Sequence, residues 1–480
     1  MKKISLIALA LAALLCLQSC GIIILNDLSG KKSGDTDTEE SGRAGETGEA
    51  AEIVIDQKSS EKIKSDADEA LRSLQTVSLS GMRLLIAATD KMFYEGDGSL
   101  TALSSDRVLR IDKIKQKLDA NVVITTYGED ALYDGLKEAI EKGEYFADVI
   151  AIPQRLVGKF ASDGLIRSLR TIPGLDLSAP YFDADATAAF SGGHGTYAVT
   201  GEGCFEPEKT YCVYFNKQLA ADLGLDLYKL VKDGQWTLEK YVSCVLSAVS
   251  AGKSGAVLKL GENYKRMLLT ASGFDLVKSE ADAVPAAMTF SSEYEKTVAL
   301  LSSLPEAAVL STAPSAKFLS GDTLFYIDTV VAAEDMADSE LVWGMLPFPK
   351  YDEKAEYGSY TSAEAMVLCV PVGAADDRTS GDFIEAFNAV SVEYIKYDFI
   401  YHNMLDVLRD NDSVNSLNTL LGRTNHDFVI AMRSGYPTLY ENTAAAFDQL
   451  VTGKLTFEEY KEKETDVAEY LAKWFPIKNK

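Results

Sequence analysis

The 480-residue chain carries 72 acidic against 47 basic residues, a formal net charge of −25, with 47% hydrophobic and 25% charged residues. That balance provides core for two or three globular domains and excludes a wholly disordered chain or a multi-span membrane protein. The acidity excludes a basic footprint for nucleic acid, and three histidines without a Cys-x-x-Cys pair offer little to a metal.

Lys2 and Lys3 precede an apolar run over residues 4–17. The run falls short of the roughly 20 residues of a spanning helix and has the flanks of a secretory leader. It ends in Leu17-Gln18-Ser19-Cys20-Gly21, which resembles the lipobox of bacterial lipoproteins. The resemblance implies a leader over residues 1–19, cleaved off, and a lipid on Cys20. It also implies an exported protein held at the outer face of the membrane, or facing a periplasm. Cys16 follows the bulky Leu15 and suits cleavage less well; a plain apolar anchor extended by residues 22–25 is the alternative. Residues 26–50 hold no aromatic side chain and are rich in Gly, Ser, Thr, Asp and Glu, so residues 20–50 read as a flexible tether.

Residues 51–80 read as a partly helical lead-in. Continuous apolar runs at 82–88, 121–127 and 148–152 predict buried strands. Between them, Val108, Leu109, Ile111, Ile114 and Leu118 predict one face of a helix, and Leu132, Leu136, Ala139 and Ile140 that of another. Strands alternating with helices imply right-handed crossovers and a mostly parallel sheet. Further strands are expected at 211–215, 323–327 and 366–370, and helices at 217–223, 237–250, 382–394 and 456–474. Thr456 with Glu459 forms a capping box at the start of the last one. Trp236, Trp343 and Trp474 read as core, and His194 as a turn residue. Cys204 and Cys212 are near enough in sequence to close a small disulfide loop or to stay as thiols, while Cys244 and Cys369 read as core.

Enzyme motifs are missing. No His-Glu-x-x-His or Gly-x-Ser-x-Gly occurs. Gly252-Lys253-Ser254 has Ser247 where a phosphate loop needs its first glycine, and Asp410-Asn411-Asp412 lacks the glycine of a calcium loop. No metal and no cofactor is expected.

Several short motifs then follow one another. Asp148-Val149-Ile150 leads to Phe160-Ala161-Ser162-Asp163-Gly164-Leu165-Ile166 and to Gly195-Thr196-Tyr197-Ala198-Val199. Tyr214-Phe215-Asn216-Lys217 and Leu223-Gly224-Leu225 come next, with Gln235-Trp236-Thr237-Leu238-Glu239, Leu346-Pro347-Phe348-Pro349-Lys350 and Thr452-Gly453-Lys454-Leu455-Thr456 behind them. From about residue 80 to the end, this succession resembles the family 1 extracellular solute-binding proteins of ABC importers, the carbohydrate-binding group. Thr200 stands where that family usually has proline, and residues 201–210 look inserted.

The resemblance implies an α/β, two-lobed, periplasmic-binding-protein-like (class II) fold with a hinge and an interlobe ligand cleft. Residues 81–203 with 358–405 would form the first lobe, and 204–357 with 406–478 the second. It implies a non-catalytic monomer that takes a mono- or oligosaccharide to membrane permease subunits. A non-sugar solute such as a peptide or polyamine, and a surface-anchored glycan hydrolase, are the competing readings.

Ligands in open sheets sit beyond the carboxyl ends of strands. That nominates Asp90 and Lys91, Tyr127, Gln154 and Arg155, and Glu202; the position of the two pairs matches the family's first-lobe sugar contacts. Planar polar side chains pair with vicinal hydroxyls, and aromatic rings lie under C–H faces. Tyr264, Tyr436 and Tyr440 are the nominated rings of the second lobe. Each has a plainer reading: a solvated turn for Asp90 and Lys91, a helix start for Gln154 and Arg155, a surface loop for Glu202, and packing for the tyrosines.

Overall fold

The computed structural model describes residues 65, 67–72, 78–90, 102–193, 195–259, 264–280, 282–305 and 309–476. Cys16, Cys20, Lys91 and His194 lie outside the described residues, as do the leader and tether.

The first half of the fold opens with β1 (Arg83–Ala88), α1 (Ala102–Leu118), β2 (Asn121–Thr126), α2 (Glu129–Lys142), β3 (Val149–Pro153) and α3 (Val157–Ser162). The chain then builds β4 (Thr210–Asn216), α4 (Leu238–Ser250), β5 (Ser254–Lys259), α5 (Tyr264–Ala271), β6 (Leu310–Ser311), β7 (Thr323–Thr329), β8 (Trp343–Leu346) and β9 (Ser359–Thr361). It returns through β10 (Met366–Cys369) and α6 (Asp377–Ser391). It ends in α7 (Asn411–Leu421), β11 (Thr424–Asn425), α8 (Phe428–Met432), α9 (Pro437–Asn442), α10 (Ala444–Leu450), α11 (Phe457–Lys461) and α12 (Glu464–Trp474).

Two sheets organise these elements. The smaller runs β10-β3-β1-β2, with β1 parallel to both β2 and β3, and β10 antiparallel to β3. The larger runs β6-β5-β7-β4-β9-β11, with β8 also paired to β4. There β4 is antiparallel to β7, β8 and β9, so this sheet is mixed rather than mostly parallel. Period-two alternation places helices on both faces of each sheet. Leu84, Ile86 and Ala88 of β1 meet Ile114 of α1 and Phe383 and Phe387 of α6, while Ala87 joins the core holding Leu132 and Leu136 of α2. In β4, Val213 and Phe215 face Tyr241 and Val245 of α4, whereas Cys212 and Tyr214 face Leu417 and Leu420 of α7.

The backbone passes between the halves at Thr200–Thr210, at Thr361–Met366 and through a loosely wound helical passage at 392–404. Strand β9 pairs in the larger sheet, so the second passage falls after Thr361 rather than at the expected 358. Two close approaches tie the halves together away from these passages. A Cβ on Gly435 would overlap the Gly158 carbonyl of α3, and one on Gly158 would overlap the Met432 backbone of α8. Ser434 Oγ donates to the Arg155 carbonyl at 2.7 Å and accepts from Lys159 N at 3.2 Å. Gly435→Ala is therefore expected to lower unfolding stability by about 1–3 kcal/mol, as overpacking does, read by urea denaturation.

Several elements differ from the sequence reading. The buried face of α1 runs through Arg107, Arg110, Ile111, Ile114 and Leu118, while Val108 and Leu109 are 48% and 42% exposed. The arginines take that face because they have partners inside: Arg110 Nη1 donates to Gly203 O at 2.9 Å and Arg107 pairs with Glu208 at 2.6 Å. Trp236 and Trp343 are fully buried, their indole N–H groups bonded to Pro347 O and Met336 O, but Trp474 lies half-exposed at the end of α12. The expected 456–474 helix is two helices, its Thr456–Glu459 capping box present at the first. Cys204 and Cys212 are separate buried thiols packed in different cores, so no disulfide closes that loop.

Candidate functional site

Pairing register sets one edge of the smaller sheet level. Ala88 pairs with Thr126 and with Ala151, and Pro153 with Met366, so β1, β2 and β3 end side by side, next to the start of β10. Asp90, Tyr127, Gln154 and Arg155 follow directly from those ends. The larger sheet offers its own edge, made of the start of β4 and the ends of β7, β9 and β11.

Side chains join the two edges. Lys209, just before β4, reaches across to Asp90 at 3.0 Å and holds the buried Glu206 at 2.8 Å. Burial pushes the Glu206 carboxyl above the usual range against the pull of Lys209, and the two carboxylates hold the Lys209 ammonium above its own ordinary value despite burial. Arg155 is forked between Glu129 at 2.6 Å, in the first turn of α2, and Glu364 at 2.7 Å, in the second passage. Those partners raise the Arg155 pKa, Glu364 foremost. Two of the five guanidinium N–H groups serve these carboxylates. The Tyr127 ring is half-buried, its centroid 5.4 Å from that of Phe146.

Gln154 is the second tie. Its Nε2 donates to Ser362 O at 2.6 Å, which leaves Oε1 to accept from His426 Nδ1 at 2.9 Å. His426, just past β11, faces Thr424 Oγ1 through Nε2 at 3.2 Å and packs edge-on to Phe190. Burial lowers the His426 pKa to about 4, so the folded protein holds it neutral. An unfolded histidine takes up a proton near pH 6.5. Its contribution to stability is therefore complete above about pH 6.5 and lost as pH falls through about 4. Urea titrations over that window should show a shallower pH dependence in His426→Gln than in the native chain.

The other nominated residues lie elsewhere. Tyr264 opens α5 just past β5, but its ring is buried in the core with the hydroxyl 3.4 Å from Leu304 O. Tyr436 packs on Phe475 at 4.7 Å, and Tyr440 is half-buried with the Arg266 guanidinium 5.9 Å from its ring. In these placements the Tyr264 and Tyr436 rings lie in the core and the Tyr440 ring beside Arg266. Glu202 accepts from Lys396 at 2.7 Å beside a cavity of about 330 Å³ at the hinge. Asp90, Tyr127 and Arg155 are not among the residues lining that cavity. Lys209 and Glu206 were missed in sequence, although a Glu-x-x-Lys spacing inside the supposed insertion pointed to them.

The described residues form no group of three or more His, Cys, Asp or Glu able to hold a metal, and no described helix is long and apolar enough to cross a membrane. Two α/β halves meet edge to edge, with polar side chains between their strand ends. The profile described as bacterial extracellular solute-binding protein matches residues 111–373, more than half of the chain. The chain belongs to this family. The family is one of binding proteins, not of enzymes.

Solved structures agree with this solute-binding protein in fold. The cyclic alpha-maltosyl-1,6-maltose binding protein from Arthrobacter globiformis is 14% identical, with TM-score 0.53 over 82% of this chain and 100% of its own. A sugar-binding protein from Xanthomonas citri is 13% identical, with TM-score 0.52 over 82% and 98%. A family 1 extracellular solute-binding protein from Bifidobacterium longum subsp. infantis is 12% identical, with TM-score 0.50 over 82% and 99%. No curated protein matches the chain.

Proposed function

We propose that this solute-binding protein is the receptor of an ABC importer and captures a mono- or oligosaccharide between the two strand-end edges. A lipid on Cys20 holds it at the cell surface, and the permease subunits receive the sugar. The observation that carries the reading is the edge itself: Asp90, Tyr127, Gln154 and Arg155 at level strand ends, facing Lys209 across the cleft. Carboxylate and guanidinium groups match vicinal hydroxyls, and a half-exposed ring matches a C–H face. The names of the similar structures from Arthrobacter and Xanthomonas point to the same ligand class.

Micromolar affinity, about −8 kcal/mol, is sufficient for this task. Equilibrium dialysis against malto-oligosaccharides should show saturable uptake, with the sugar recovered intact. Shortened products would favour a glycan hydrolase, and uptake of peptides or polyamines instead of sugars would keep the receptor and change its ligand.

A further inference from the structure

Phe475 and Pro476 follow α12 and run from the second half of the molecule onto the first. They lie against the hairpin in which Ser191–Gly192 pairs with Gly195–Thr196. A Cβ on Gly192 would stand 2.9 Å from Phe475 Cδ1, and one on Gly193 2.8 Å from both Phe475 C and Pro476 O. Gly193 also has φ +56°, a left-handed conformation that side chains oppose. Glycine is required there for the turn and again for the approach of another stretch of backbone.

The same hairpin is gripped by a second segment of the second half. There Val277–Lys278 pairs with Ala286–Ala287, with Ser279, Asp282 and Ala283 between them in sequence. Ser279 Oγ donates to Ser191 O, Gly193 N donates to Ala283 O at 3.1 Å, and Arg170 pairs with Asp282. The Phe475 ring packs on Phe428 at 5.3 Å and on Tyr436 at 4.7 Å, in one core with Phe160 and Phe190 of the first half. None of these residues belongs to the three passages. Opening the halves would return this apolar seam to water, which the hydrophobic effect opposes. Closure driven by a solute draws on contacts that the solute makes, whereas this seam is made of the chain's own residues.

We propose that Phe475 and Pro476 form a clasp that keeps the two halves shut in the unliganded protein and lets go only in a minor open state. The clasp itself needs no solute. Solute entry through the open state rests on the proposed function, and the apparent affinity would then fall below the intrinsic one by the open fraction.

The test is hydrogen–deuterium exchange of the unliganded full chain, native and with Gly193→Ala or Phe475→Leu, read by mass spectrometry. Its reporters are two amides that bond across the halves in other segments: Lys159 N to Ser434 Oγ at 3.2 Å, and Thr424 N to Asp183 Oδ2 at 3.3 Å. Both should be protected in the native protein. In each variant they should exchange about tenfold faster, the effect of an overpacked or thinned contact on the open population, while the amides of β1 and β4 keep their protection. Native exchange of both reporters at the rate of an unfolded peptide would show the halves open at rest and overturn the proposal. Faster exchange confined to residues 190–196 would overturn it too, as the mark of local packing alone. Loss of β1 and β4 protection in both variants would make the contact part of the fold instead of a clasp; where one variant behaves so, the other decides. Failure of the native chain to bind saccharides would defeat the proposed function and leave these readouts untouched.

Discussion

Replacing Lys209 by methionine is expected to destabilise the protein by about 3–5 kcal/mol, the loss seen when one partner of a buried ion pair is removed. Glu206 is 2% exposed, and its Oε1 has Lys209 at 2.8 Å as the cation beside it. Its other oxygen accepts from Met366 N at 2.7 Å, so the carboxylate is fixed to the first strand position of β10. Without the ammonium, Glu206 would be left as a buried charge or would take up a proton, and Asp90 would lose its tie to the larger sheet. Chemical denaturation at neutral pH reads the first effect. Protonation offers relief, so the deficit should shrink as pH is lowered. Glu206→Gln combined with Lys209→Met should recover part of the loss, because both halves of the pair are then neutral.

Arg155→Ala is the second large effect, on binding instead of folding. The guanidinium stands just past the end of β3, held between Glu129 and Glu364. A charged hydrogen bond contributes about 1.5–3 kcal/mol, so saccharide affinity should fall roughly 10- to 100-fold. The unliganded melting temperature should change little, since the side chain is only partly buried and its partners remain solvated. A large drop in unliganded stability with unchanged affinity would make Arg155 a structural brace.

The halves of this protein differ in how far their sequence announces them. β1, β2 and β3 were legible as apolar runs because strands covered on both faces need no polar alternation. The strand ends, and with them Asp90, Tyr127, Gln154 and Arg155, followed at once. Helix α1 was read one stripe off, since Arg107 and Arg110 look solvent-facing until Glu208 and Gly203 O are brought beneath them by the first passage. Tertiary partners decided that face, and no local pattern contains them. β5, β8 and β9 escaped notice because they are short or begin with Ser-Gly and Trp-Gly, which carry little strand signal. The tyrosines nominated for the second half show a related limit of local pattern. A ring near a helix start reads alike whether it faces a cleft or a core, and Tyr264 and Tyr436 face the core. Lys209, in contrast, was visible as a charge but its use depends on β4 pairing antiparallel to β7, which swings the loop before β4 to the cleft edge.

Binding of an oligosaccharide between the two strand-end edges is the proposal on which the other expectations rest. It is tested by the thermal unfolding midpoint of the native chain and of Arg155→Ala, side by side, with a trisaccharide. Ligand at 100 times its dissociation constant adds about 2.7 kcal/mol of stability. A raised midpoint is expected in the native protein, with a much smaller rise in the variant at the same concentration. Equal shifts in the two proteins, or no shift with any saccharide where a peptide or polyamine gives one, would contradict it.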